Sequence, residues 1–155
     1  MKTEICYALN MKIIRACAVI VHEDKILVFR RKINSDEYYV FPGGKQETGE
    51  TLEEAVVREA MEETSLAVKA EKLLWKLIVG EIENNFFLCS YISGEPKLGN
   101  ANEAEQATES NQYEPMWKCF AEFPSLAFKP TEVRNWFIED SKNNFENHLR
   151  EHTRI

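Results

Sequence analysis

The sequence predicts an α/β domain in which a mixed β-sheet lies between helices. Three observations lead there. Apolar, β-rich runs recur along the chain and are bounded by polar turns. Two segments, one early and one late, carry apolar residues at helical spacing. The strands surround these helices instead of alternating with them, unlike a regular βαβ series.

In chain order, "ACAVIV" (Ala16–Val21) and "KILVFRR" (Lys25–Arg31) flank the polar turn "HED" and read as an antiparallel hairpin. "KINSDEYY" reads as a polar loop with an aromatic end. "YVFPGG" reads as a short strand stopped by Pro42 and a glycine pair. A helix is predicted from about Thr51 to Ser65, where Thr51 and Glu54 fit a capping box and Glu50 lies near the positive end of the helix dipole. "KLLWKLIVG" and "NFFLCSYIS" are two further strands joined through "EIENN". The polar stretch from Gly94 to Pro115 reads as one long loop. "MWKCFAEF" is expected as a strand. "TEVRNWFIEDSKNNF" places Val133, Trp136 and Phe137 at helical spacing with Thr131 as N-cap, and the charged tail "ENHLREHTRI" is expected to fray. Trp117 and Trp136 are expected in the core.

The 155 residues suit a single domain, 1–155, and a hydrophobic fraction of 44% is ordinary for a globular protein. No apolar run reaches membrane-spanning length, and the start of the chain lacks the pattern of a secretory signal. Cys6, Cys17, Cys89 and Cys119 are scattered, with no C-x-x-C pair and no histidine at ligand spacing. They read as free thiols in a reducing cytoplasm. A net charge of -7 disfavours nucleic acid and anionic membranes as partners. A small anionic substrate remains compatible with that charge if a divalent cation accompanies it.

The helix beginning at Thr51 poses an electrostatic problem. Leu52, Val56, Glu59 and Glu63 fall on one side, with Glu62 close by. Glu59 is three residues from Glu62 and four from Glu63, so both pairs repel, and they lie where the helix dipole opposes negative charge. Arg58 can meet Glu62 across one turn, but one cation does not balance three carboxylates. A hard cation such as Mg²⁺, which takes oxygen ligands and bridges carboxylates to phosphates, resolves the imbalance. The competing reading is a solvated charged face. The preceding Gly43 and Gly44 favour the cation, because they permit close backbone approach and could present amides to an anion.

Read as G-x5-E-x7-R-E-x-x-E-E, the segment supplies Gly44, Glu50, Arg58, Glu59, Glu62 and Glu63 in register. It resembles the Nudix box, and the lead-in Phe41-Pro42-Gly43-Gly44 is similar to that family as well. One position departs: where the family has glycine near the end of the box, this chain has Ser65. That glycine would end the helix in a left-handed turn.

The resemblance implies a Nudix-like α/β/α sandwich around a mixed β-sheet. It also implies Mg²⁺- or Mn²⁺-dependent hydrolysis of a nucleoside diphosphate linked to another moiety. Carried over residue by residue, Glu59, Glu62 and Glu63 are the implied metal ligands, with the Gly43 carbonyl as a further one. Arg58 would orient the carboxylates and Glu50 would stand just outside the metals. The general base is implied to be Glu62, Glu63 or a glutamate of the long loop, with Glu103, Glu105 and Glu109 as candidates. Arg31, Gly44, Lys45 and Tyr39 are the expected substrate contacts; surface charge for Arg31 and core packing for Tyr39 are the competing readings. Family members are often dimers, so a homodimer is an expectation.

Sub-patterns beyond the box narrow the substrate little. "IVGEIENN" lacks the proline of ADP-ribose-type relatives, and that region has Phe86 and Phe87 where diadenosine-polyphosphate types carry tyrosine. No coenzyme A signature precedes the box, and "LAFKPTE" lacks the base-reading asparagine of oxidised-nucleotide types. A general nucleoside triphosphate or nucleotide-derivative pyrophosphohydrolase is the expectation. The alternatives are a Nudix-like module that binds a nucleotide without cleaving it, for which Ser65 is the only feature, and a structural domain with a Glu-rich helix.

Overall fold

A computed structural model describes residues 11–99 and 108–155. β1 (Ile13–His22) and β2 (Lys25–Ile33) form the expected hairpin, turning at Glu23, whose φ is 57°. They pair only through Val21↔Ile26 and His22↔Lys25 and then diverge. β3 (Asp36–Val40) runs along β2 inside this fork, and β4 (Gly43–Lys45) runs along β1. The link between β3 and β4 is held in the fork by a hydrogen bond from the Ala18 amide to the Pro42 carbonyl, 2.8 Å.

Beyond the fork the sheet continues through β5 (Ala67–Val79) and β6 (Ile82–Ser93), with β6 parallel to β1 and antiparallel to β5. β7 (Asn111–Cys119) pairs antiparallel with β2, and β8 (Arg150–Arg154) runs parallel to β5. The sheet is therefore mixed, as expected.

Alternation along β1 sends Ala16, Ala18 and Ile20 to one face and Cys17 and Val19 to the other. On the first face Ala55, Val56 and Ala60 of α1 (Leu52–Thr64) pack against them, together with Leu66, Val68 and Phe87. The other face meets Trp75, Leu77, Phe86 and an aromatic layer. Phe123 of the 3-10 segment Phe120–Ser125, Phe128, and Phe137 of α2 (Thr131–Asp140) supply that layer, with Phe123 and Phe137 centroids 4.1 Å apart. The expected α/β/α sandwich is present. Trp117 and Trp136 are half-buried and pack against the two clusters.

Several element boundaries differ from the sequence reading. "KINSDEYY" is a tight hairpin, with β2 running to Ile33, β3 starting at Asp36, and Asn34 turning at φ 55°. "EIENN" is mostly strand, because Gly80 and Glu81 alone make the turn, as the pairing Val79↔Ile82 requires. The end of the long polar stretch is strand from Asn111. "MWKCFAEF" leaves the strand after Cys119 and becomes 3-10 helix. Pro130, not Thr131, caps α2. The tail forms β8. Cys17 and Cys89 are buried free thiols, pushed up by desolvation to about 11 and about 12, and Cys119 is half-buried. Cys6 lies outside the described residues.

Candidate active site

The glutamate helix is fixed at both ends. Thr51 Oγ1 accepts from the Glu54 amide at 3.1 Å, and Glu54 Oε2 accepts from the Thr51 amide at 3.0 Å, so the capping box forms. At the other end Ser65 takes φ 65° and ψ 17°, and its amide donates to the Met61 carbonyl at 3.0 Å. The left-handed exit expected of glycine is thus kept with a serine.

The glycine pair does not form a turn. It lies in β4, where the need is for close approach. A Cβ on Gly44 would lie 2.3 Å from the Glu59 carboxyl carbon. One on Gly43 would lie 2.7 Å from Cys17 Sγ and 2.8 Å from the Ala16 carbonyl oxygen. β4 is therefore pressed between β1 and the helix carboxylates. The Gly43 amide donates to Glu63 Oε2 at 3.1 Å, and the Gly43 carbonyl accepts from Arg15 Nη2 at 3.3 Å.

Arg58 is the hub. Its Nε and Nη2 fork onto Glu50 at 3.0 and 2.6 Å. Its Nη1 reaches Glu59 Oε1 at 2.8 Å and Glu62 Oε2 at 3.1 Å, and Nη2 also donates to the Lys45 carbonyl at 3.1 Å. Glu50 further accepts from the Glu47 amide at 2.7 Å. The Arg58 hydrogen bonds, then that amide, hold the Glu50 carboxyl below the usual glutamate range. The same pairing, Glu50 first and Glu59 second, raises the Arg58 guanidinium above its ordinary value. Glu59 is nearly buried, whereas Glu62 is 52% exposed at its side chain.

A cleft of about 110 Å³ opens at the fork, lined by Arg15, Arg31, Phe41, Gly43, Glu63 and Tyr113 among others. A second hollow of about 270 Å³ shares Arg15, Arg31 and Phe41 and adds Asn84 and Lys129. Arg31 and Arg30 point to opposite faces, as strand alternation demands. Arg30 pairs with Glu37 at 2.8 Å and Glu114 at 3.4 Å. The Arg31 guanidinium lies 4.1 Å from the Tyr113 ring centroid and 5.9 Å from that of Tyr38. Its Nε is buried without a hydrogen-bond partner among the described residues.

Of the expected site residues, Gly43, Gly44, Glu50, Arg58, Glu59, Glu62 and Glu63 are brought together and Arg31 enters the cleft beside them. Tyr39 is placed elsewhere. It packs against the aromatic core on the other face of the sheet, with Lys118 Nζ 5.9 Å from its ring. Lys45 contributes its carbonyl, and its side chain is exposed. Glu103 and Glu105 lie outside the described residues; Glu109 is exposed and does not line the cleft. Sequence reasoning missed Arg15, Tyr113 and Lys129. A cation inside the apolar run "IIRACAVIV" was a signal for the first. Tyr113 at period-two spacing from Trp117 was one for the second.

Among the described residues no three His, Cys, Asp or Glu side chains converge as a metal cage. Arg58 draws Glu59 and Glu62 to itself, and the Gly43 amide holds one oxygen of Glu63. The donor set nevertheless fits a hard divalent cation. Glu59, Glu62, Glu63 and the Gly43 carbonyl are all oxygen ligands, and the space a Cβ on Gly44 would fill is given to the Glu59 carboxylate.

The NUDIX domain family model matches residues 11–137. Over 95 residues the chain is 41% identical to an ADP-ribose pyrophosphatase of Methanocaldococcus jannaschii; the match covers 56% of this chain and 56% of that relative, about half its length. A NUDIX hydrolase from Nitrosomonas europaea superposes with a TM-score of 0.68 at 17% identity, covering 92% of this chain and 80% of that one. An ADP-ribose pyrophosphatase from Streptococcus suis gives 0.62 at 21% identity, covering 90% and 98%. Members of this family generally use divalent metal ions and act on small nucleotides. With the carboxylates, Arg58 and Gly44 of the box assembled at the fork and the family model spanning most of its length, the chain belongs to the NUDIX domain family.

Proposed function

We propose that the chain is a hydrolase of phosphoanhydride bonds that cleaves a nucleoside diphosphate linked to another moiety, with Mg²⁺ or Mn²⁺ as cofactor. The observation that carries this is the cleft itself. One hollow is lined by Glu63 and Gly43 together with the cations Arg15, which reaches the Gly43 carbonyl, and Arg31, which lies on the Tyr113 ring. That arrangement suits a substrate with a charged phosphate bridge and a flat ring.

Glu59, Glu62, Glu63 and the Gly43 carbonyl would hold the cation. When bound, Mg²⁺ or Mn²⁺ supplies positive charge at the phosphate oxygens and acidifies water. Arg58 holds Glu59 and Glu62 in place and keeps Glu50 ionised beside them. Glu62 or Glu63 accepts the proton of the attacking water. Arg31 lines the cleft and binds a phosphate oxygen through its guanidinium, which rests on the Tyr113 ring. Gly44 permits the approach of Glu59, and Tyr113 offers a stacking face. The ADP-ribose pyrophosphatase activity of the Methanocaldococcus relative supports a nucleotide-derivative substrate. The reading as a non-cleaving module loses its one argument, because Ser65 keeps the left-handed exit.

A panel of nucleoside triphosphates, nucleotide sugars, ADP-ribose and dinucleoside polyphosphates tests this. At least one should be cleaved between phosphorus atoms with Mg²⁺, and none with EDTA. Glu63→Gln should lower kcat by roughly 100-fold or more. Cleavage that survives both EDTA and Glu63→Gln would overturn the proposal, as would a panel left intact.

A further inference from the structure

We propose that the strap Gly94–Gly99, which follows β6, positions the carboxylates at the end of α1, and that Ser65 is its latch. The inference rests on Glu59, Glu62 and Glu63 being metal ligands.

The last turn of α1 carries Glu62 and Glu63, and no basic residue lies in it to oppose the negative end of the dipole. Its terminal carbonyls need donors. The strap brings them. The Lys97 amide donates to the Thr64 carbonyl at 3.0 Å, and the Gly99 amide donates to the Glu63 carbonyl at 3.2 Å. Two N–H groups thus meet the helix end where the acidic side chains make it least favourable.

The contact is close enough to dictate residue type. A Cβ on Gly99 would lie 2.5 Å from the Glu62 carbonyl oxygen, and one on Gly94 would lie 2.6 Å from the Ser65 carbonyl oxygen. Gly94 also has φ +107° and its carbonyl accepts from the Tyr91 hydroxyl at 2.8 Å. The strap therefore starts from a fixed point and lies against the backbone that carries Glu62.

Ser65 explains why serine stands there. At φ 65° glycine is the unstrained residue and serine is not. What serine adds is its hydroxyl, which donates to the Lys97 carbonyl at 3.2 Å. The Lys97 peptide is thereby gripped on both sides: its amide by the helix end, its carbonyl by the residue just past it. The departure from the family's box is a functional substitution, trading backbone relaxation for a tie to the strap.

The test uses the full chain without substrate. Mn²⁺ affinity is measured by titration calorimetry, and amide hydrogen exchange of Lys97 and Gly99 is measured without metal. Ser65→Gly should leave the thermal midpoint unchanged or raise it, because the strain is relieved. It should nonetheless weaken Mn²⁺ binding by roughly 10-fold, the low end for loss of a positioning contact around a metal, and speed exchange at Lys97 and Gly99. Ser65→Asn should restore both, since asparagine tolerates this backbone region and its amide can donate to Lys97. Gly99→Ala should weaken Mn²⁺ binding in the same direction. Wild-type affinity and exchange in Ser65→Gly would overturn the latch. Glu63→Gln separates the two claims. If it binds Mn²⁺ as wild type does, the ligand reading fails and the latch with it. If it loses Mn²⁺ while Ser65→Gly keeps it, the latch alone fails.

Discussion

Arg58→Ala should lower kcat/KM by about 10–100-fold, the usual cost of removing a group that orients metal ligands. Arg58 does not line the cleft; its effect runs through the side chains it holds. Its Nη1 is shared by Glu59 and Glu62 while Nε and Nη2 grip Glu50. Without it the carboxylates of Glu50, Glu59 and Glu62 lose the cation that stands between them. Arg58→Lys should recover little, because an ammonium cannot fork onto Glu50 and reach Glu59 together. A second readout separates positioning from a general loss of fold. The thermal midpoint of Arg58→Ala should fall without metal and recover most of the deficit in saturating Mg²⁺, which replaces the lost charge. Acid titration gives the sign of the Glu50 contribution. Its folded carboxyl sits below the usual range. Its stabilisation is therefore present above the unfolded value of about 4.3 and is lost as pH falls below that through the folded value. Arg58→Ala should lack this acid-side loss, so its midpoint should fall less steeply with pH in that window. An unchanged kcat/KM in Arg58→Ala would remove the hub from the mechanism.

What the sequence disclosed about this site was local, and what it hid was not. The capping box, the glutamate face and the glycine pair are set by residues within one helix and its lead-in, so spacing alone placed them. Even there the reason for Gly44 was hidden. It is the approach of Glu59, fifteen positions along, and not a turn. Only the first half of β7, Asn111 to Pro115, reads as loop, because Asn111, Gln112 and Glu114 are polar and Pro115 interrupts the run, whereas Met116 to Cys119 is expected as strand. The strand tolerates them because it pairs only with β2, and an edge strand can leave a proline's missing N–H unpaired. Tyr113 was lost with it. β8 has an exposed, charged face throughout and owes its place to backbone pairing with β5, which no hydrophobic pattern records. Tyr39 and Tyr38 are neighbours in sequence, yet alternation sends only Tyr38 toward Arg31. Choosing between them needed the register of β3 on β2.

Asp140→Ala should destabilise the protein by about 3 kcal/mol, near the lower end of what breaking a buried ion pair costs. Local rules forecast the opposite sign. Asp140 ends α2, where a negative charge opposes the dipole, and alanine is the better helix former by about 0.5 kcal/mol. The tertiary contacts reverse this. Asp140 is 2% exposed and accepts from Trp75 Nε1 at 2.8 Å. It also accepts from Arg150 through Nε at 3.1 Å and Nη2 at 2.6 Å, and from the Asn147 amide. One carboxylate thereby joins α2, the middle of β5 and the first residue of β8. Removing it leaves the Trp75 indole N–H buried without an acceptor, which alone costs roughly 1–3 kcal/mol. Arg150 keeps Glu139 at 3.3 Å and is partly solvated, so the full penalty of a stranded charge does not apply. Asp140→Asn keeps an acceptor for the indole and should cost about half as much, since hydrogen bonds to a charged group are worth about 1.5–3 kcal/mol. Urea unfolding of wild type and both variants measures these differences. Hydrogen exchange should show β8 opening first, because its side chains bury little and Arg150 is its anchor. A loss below about 1 kcal/mol in Asp140→Ala, or a gain, would mean that the dipole and propensity terms outweigh the tertiary network.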